Sequence, residues 1–107
     1  MERLDFVLAG HRPVQAFEAI LVGVVGSGNL EVLVEPGDHP ASCTFLINTS
    51  AVGFGAIWEA VVKGFQARHQ LCGVSVSIND MGATPAVVSL RLDQAIASVP
   101  FLKAPAS

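Results

Sequence analysis

Val74, Val76 and Ile78 alternate with Ser75 and Ser77, the period-two pattern of a strand with one buried face. Leu30, Val32 and Val34 repeat it, with Glu31 turned the other way. Cys43 to Asn48 and Arg3 to Ala9 read as further strands, the latter broken by His11-Arg12-Pro13. Ala16 to Val25, rich in β-branched and apolar residues, reads as another. Between it and Leu30 lies Gly26-Ser27-Gly28-Asn29, whose Gly and Asn tolerate positive φ, so the two strands read as a β-hairpin. Pro36-Gly37-Asp38 marks the next turn.

Helical periodicity begins near Gly53 or Phe54 and runs to about Gln70. Ile57, Val61, Phe65 and Arg68 share one side, Trp58 and Val62 lie alongside, and Gly73 is the expected stop. Gly55 and Gly64 weaken this helix. Asn79-Asp80-Met81-Gly82 turns the chain. Thr84 then reads as an N-cap and Pro85 as the first helical residue, ahead of a stripe of Val88, Leu92, Ile96 and Val99. Val87 to Leu92 taken alone also suits a strand. The order β-β-β-β-α-β-α predicts an α+β domain, a largely antiparallel sheet of about five strands packed against two helices. Residues 1–99 form one domain in this reading, and 100–107 a loosely ordered tail.

Composition narrows the function classes. Of 107 residues, 51% are hydrophobic and 14% charged, against an average charged fraction of about 25%, which suggests a surface partly covered by other subunits. The net charge of −3, with no cluster of Lys and Arg, lacks the footprint of nucleic-acid binding. The longest apolar stretch, Ala19 to Val25, falls far short of the ~20 residues that span a bilayer, and Glu2, Arg3 and Asp5 do not suit a signal peptide. A soluble cytoplasmic protein is expected. Cys43 and Cys72, each among apolar neighbours, read as buried free thiols. His11, His39 and His69 are scattered, have no metal-ligand spacing and read as surface residues. Trp58 and Phe65 are expected in the core, and Glu31 and Glu35 on the solvated side of the hairpin. Asp80 is expected either to cap the turn before the last helix or to contact a partner.

The serine at the turn is no nucleophile elbow, because Val25 and Asn29 stand where Gly-x-Ser-x-Gly needs glycine. The glycines match neither a P-loop nor a dinucleotide fingerprint. No acid–base pair or nucleophile–base constellation is visible, so an independent enzyme is not expected. On its own residues the turn also reads as a plain hairpin turn.

Two segments together resemble a known family. Val25-Gly26-Ser27-Gly28-Asn29-Leu30-Glu31-Val32 resembles the prosthetic-group attachment segment of the acyl carrier (delta) subunits of malonate decarboxylase. Asp80-Met81-Gly82-Ala83-Thr84-Pro85-Ala86-Val87-Val88, continued by Leu90-Arg91-Leu92-Asp93-Gln94-Ala95, resembles their C-terminal half. Citrate lyase acyl carriers are more distantly similar, and Thr84-Pro85 favours the malonate branch. In the family pattern an Asp usually follows the second glycine. Here it is Asn29, which suits a turn equally and is uncharged.

The resemblance implies a non-catalytic carrier within a complex that converts malonate to acetate and CO2. Ser27 would carry 2'-(5''-phosphoribosyl)-3'-dephospho-CoA through a phosphodiester, with Gly26, Gly28 and Asn29 around the attachment point. The arm's thiol would hold acetyl, then malonyl. The implied partners are the acyltransferase (alpha) and decarboxylase (beta, gamma) subunits, a malonyl transferase, and the phosphoribosyl-dephospho-CoA transferase that makes the holo-carrier. A citrate-lyase-type carrier and an unmodified assembly module are the alternatives.

Overall fold

A computed structural model describes residues 2–24, 27–97 and 99–100. The strands are β1 (Glu2–Ala9), β2 (Ile20–Val24), β3 (Ser27–Pro36), β4 (Ser42–Thr49) and β5 (Val74–Asp80), and the helices are α1 (Gly55–His69) and α2 (Pro85–Ala97). Their order is the expected β-β-β-β-α-β-α. The sheet is arranged β1-β4-β5-β3-β2, antiparallel everywhere except between β4 and β5. The parallel pair follows from α1: a helix between two strands returns the chain to the same end of the sheet. β5 thereby enters between β3 and β4, which are consecutive in the chain. No helix among the described residues is long and apolar enough to cross a membrane.

Alternation decides which face is covered. Leu30, Val32 and Val34 of β3, Phe45 and Ile47 of β4, and Val74, Val76 and Ile78 of β5 are buried and share one core with both helices. The other face presents Ser75, Ser77 and Asn79 with Glu31 and Glu35, each half-buried. Across it, Asn48 Nδ2 donates to Asn79 Oδ1 (3.3 Å) and Asn79 Nδ2 to Glu31 Oε1 (3.2 Å). α1 packs towards β1, and α2 lies over β3 and β2.

Trp58 and Phe65 are core residues as expected, and Phe65 meets Phe45 edge to face at 5.9 Å. The buried side of α1 is rotated from the expected one: it is Trp58, Val62, Phe65 and Gln66, while Ile57 is 47% exposed. Gln66 is the reason. Its Nε2 donates to Leu71 O (2.7 Å) and Ala9 O (2.9 Å), and its Oε1 accepts from Leu71 N (3.0 Å). A buried polar side chain this well satisfied ties the helix end to β1 and to the chain leading into β5. α1 ends at Gln70 as expected, capped there by a left-handed residue (φ 51°) whose amide donates to Gln66 O, and Gly73 is not needed as the stop. α2 starts as expected: Thr84 Oγ1 accepts from Val87 N (3.3 Å), and Thr84 O accepts from Val88 N (3.0 Å). The tail, 101–107, lies outside the described residues.

Candidate functional site

The hairpin of β2 and β3 differs from its sequence reading in one instructive way. Ser27, Gly28 and Asn29 are not loop residues; they already belong to β3, and Ser27 pairs with Val24. Gly26, with Val25, lies outside the described residues. The pairing is regular through Val22↔Val32 and then breaks: the next pair is two residues further along β2 but five along β3. Gly23 sits at this break with φ +82°, and a Cβ there would come within 2.5 Å of Leu30 O. Only glycine supplies both the left-handed backbone and the close approach.

The register also fixes how far the hairpin reaches. Leu30 pairs with Asp80, the last residue of β5, and Thr49, the last of β4, pairs with Asp80 from the other side. Ser27 lies three residues beyond Leu30, about 10 Å at the rise of a strand. The segment carrying Ser27 therefore runs past the end of the neighbouring strands.

Asp80 anchors this end of the sheet. It is 4% exposed. Oδ2 accepts from Thr49 Oγ1 (2.8 Å), and Oδ1 accepts from Gly82 N (3.1 Å) and Ala83 N (2.8 Å). Thr49 Oγ1 also accepts from Ala51 N (3.1 Å), and Ser50 N donates to Asp80 O. One carboxylate thus shapes the β5–α2 turn and holds the β4–α1 loop to it, which bears out the capping reading. Beside it opens an apolar pocket of about 210 Å³, lined by Phe54, Ile57, Trp58, Val61, Ala83 and Val88 among others. Its mouth is hydrophobic too, since the lining residues Phe54 and Ile57 are each 47% exposed. Periodicity had assigned Ile57 to the core, so this mouth was not legible from the sequence.

α2 adds a cation next to the hairpin. Arg91 Cδ lies 3.6 Å from the position a Gly23 Cβ would take. Arg91 Nη1 donates to Gln94 Oε1 (2.9 Å), while its Nε is buried with no hydrogen-bond partner. No carboxylate pairs with it among the described residues, whereas Lys63 pairs with Glu59 and Arg68 with Asp93. Arg91 was quoted in the sequence only as part of the second resembling segment, because its closeness to Gly23 depends on how α2 crosses the hairpin.

The remaining candidates take structural roles. Cys43 and Cys72 are free and buried, and burial, with Cys72 adding to it, pushes the Cys43 thiol up to about 12. His11 and His39 are exposed. His69 is only half-buried: its ring meets that of Phe65 at a tilt of 44°, centroids 4.6 Å apart, and its Nε2 lies 3.1 Å from Asp93 Oδ1. It joins α1 to α2, a role its surface reading missed.

The model of the family described as malonate decarboxylase delta subunit (MdcD) matches residues 18–99, a span that includes the whole hairpin, Asp80 and Arg91. The chain belongs to that family. A malonate decarboxylase acyl carrier protein from Burkholderia cepacia is 63% identical over 99 residues, covering 92% of this chain and 91% of the relative. That of Stenotrophomonas maltophilia strain K279a is 56% identical over 97 residues, covering 90% and 92%. The fold matches a chain in the crystal structure of a Pseudomonas malonate decarboxylase hetero-tetramer in complex with malonate. The TM-score there is 0.80 and the identity 37%, over 91% of this chain and 97% of that one. This malonate decarboxylase family is thus an acyl carrier family built on a five-stranded α+β sheet.

Proposed function

We propose that this chain is the covalent acyl carrier of a malonate decarboxylase complex, modified on Ser27 and non-catalytic in its own right. The observation that supports it is the register of the hairpin: Ser27 opens β3 three residues beyond the last pair with β5. A serine carried past that pair stands at the end of the sheet that several partner enzymes would approach in turn.

The expected prosthetic group, 2'-(5''-phosphoribosyl)-3'-dephospho-CoA, is anionic at its protein end, so the hairpin should offer it a complementary donor. Arg91 supports that reading: its Nε is buried without a hydrogen-bond partner, no carboxylate pairs with it among the described residues, and its Cδ lies 3.6 Å from where a Gly23 Cβ would stand. When bound, the group supplies a thioester, which stabilises the carbanion left as malonate loses CO2 far better than a free carboxylate does. The chain's own residues do the carrying. Ser27 contributes the oxygen of the linkage. Gly26 and Gly28, having no side chains, would leave the backbone free for the modifying transferase and a phosphate, and Asn29 would keep that approach uncharged. Asp80 and Thr49 hold the end of the sheet from which the hairpin extends. Tethering raises the local concentration of the acyl group at each site the arm can reach.

In this reading the partners are the acyltransferase (alpha) and decarboxylase (beta, gamma) subunits, a malonyl transferase, and the phosphoribosyl-dephospho-CoA transferase. The apolar pocket mouth lies at the same end of the sheet as the hairpin, the end that any partner reaching Ser27 approaches. The test is the intact mass, with peptide mapping, of the chain purified in an active complex from its own host grown on malonate. The expected result is a mass gain equal to the phosphoribosyl-dephospho-CoA group on the Ser27 peptide. Ser27→Ala should fold and assemble normally yet support no decarboxylation. An unmodified chain in an active complex, or full activity of the alanine variant, would leave the assembly-module reading in its place.

A further inference from the structure

The two helices cover one face of the sheet and leave the other open. Register orders the open face. One row of paired residues crosses all five strands: Asp5 on β1, Leu46 on β4, Ser77 on β5, Leu33 on β3 and Leu21 on β2. Leu33 and Leu46 are half-buried, their strand neighbours Val32, Val34, Phe45 and Ile47 take the core side, and Leu21 is 58% exposed. β5 adds only Ser75 and Ser77 beside them, so the middle of this face is a low floor. Glu31 and Glu35 stand two residues to either side of Leu33 on one strand, about 13 Å apart at the rise of a strand. Asn48 holds Asn79, which in turn holds Glu31 Oε1 (3.2 Å). Glu35 lines a shallow pocket of about 310 Å³ with Asp38, His39, Thr44, Leu46 and Ser75 among others. No cation among the described residues pairs with Glu31, Glu35 or Asp38, whereas Lys63 holds Glu59 and Arg68 holds Asp93. Arg3 is the only Lys or Arg in the five strands, and it lies on β1, three strands from Glu31.

We propose that this open face docks a partner subunit whose matching surface sets an apolar centre between two Lys or Arg side chains about 13 Å apart. It rests on the carrier reading of the chain, whose partner it describes. The apolar row supplies area to bury, and the small Ser75 and Ser77 let a partner come close. The two carboxylates flank that row, so they attract a cationic surface from a distance and fix its register on arrival. One cation meets Glu31 at the end of its asparagine ladder. The other enters the pocket beside Glu35 and Asp38. A second copy of the chain does not fit, because stacking two such faces sets carboxylate against carboxylate. Nucleic acid and anionic membrane are repelled for the same reason. β3 carries both carboxylates and opens with Ser27, so a subunit seated here holds the strand that bears the attachment point.

The test titrates the full-length, unmodified chain into the decarboxylase complex purified without its carrier, and reads Kd by calorimetry. Glu31→Gln combined with Glu35→Gln removes both charges and keeps the shape. It should weaken binding about tenfold and flatten its dependence on salt. Glu35→Gln alone loses no hydrogen bond among the described residues, so it stays clear of folding defects, and should weaken binding about threefold. Glu59→Gln, on α1 and on the covered side, should bind like wild type. Unchanged affinity and salt dependence of the double variant overturn the inference and leave the carrier reading of Ser27 intact. An equal loss from Glu59→Gln overturns it as well, since overall charge alone would then drive binding. A wild-type chain that does not bind the carrier-free complex at all overturns the carrier reading with it.

Discussion

Removing the Asp80 carboxylate should destabilise the fold by about 3–4 kcal/mol. In Asp80→Ala three donors lose their acceptor at once: Thr49 Oγ1, Gly82 N and Ala83 N. Thr49 is completely buried, so its hydroxyl finds no water, at a cost of roughly 1–2 kcal/mol. Gly82 is exposed and Ala83 half-buried, so water replaces part of each lost bond, and about 1 kcal/mol apiece is left. The total is a large share of the roughly 5–15 kcal/mol that keeps a domain folded. It should lower Tm by roughly 15 °C. Asp80→Asn should cost only about 1 kcal/mol, because its amide oxygen can still accept from the turn and its NH2 can donate to Thr49 Oγ1. Urea unfolding followed by tryptophan fluorescence reads both variants, since buried Trp58 is the one tryptophan of the chain. If Asp80→Ala stayed within 1 kcal/mol of wild type yet failed to join its partner subunits, Asp80 would be an interface residue and the capping account wrong.

Two further outcomes are expected. The Cys43 thiol, raised from 9.0 to about 12 by burial and then by Cys72, should resist alkylation in the native protein at pH 8 and react only on unfolding. Its neutral form is the one the fold favours, so its contribution to stability is complete below pH 9 and lost as pH rises towards 12; rapid native-state labelling, or flat stability across that range, would contradict the burial. Gly23→Ala should cost about 2–4 kcal/mol, combining left-handed strain with a Cβ forced to within 2.5 Å of Leu30 O, and should slow modification of Ser27 by displacing the hairpin. A change below 0.5 kcal/mol in chemical unfolding would show that the register break does not depend on Gly23.

Local pattern was enough for much of this protein. Period-two alternation in 30–34 and 74–78 named the strands and their buried faces, because side chains on a pleated backbone point to opposite sides whatever the strand pairs with. Thr84-Pro85 marked the start of α2 for an equally local reason, since a capping oxygen and a fixed φ act within one turn. The hairpin and its serine were likewise visible as two runs around Gly and Asn. What the chain could not announce is everything that depends on residues far apart in it. That β5 lies between β3 and β4, and so leaves Ser27 three residues beyond its last pair, is a matter of strand partnership. Gln66 rotated the buried side of α1 because its amide meets Ala9 and Leu71, and hydropathy assigns no value to such a bond. Arg91 has no role legible from helical periodicity, and only the crossing of α2 over β2 and β3 brings its Cδ to Gly23. Periodicity records which side of an element avoids water; packing alone decides what that side touches.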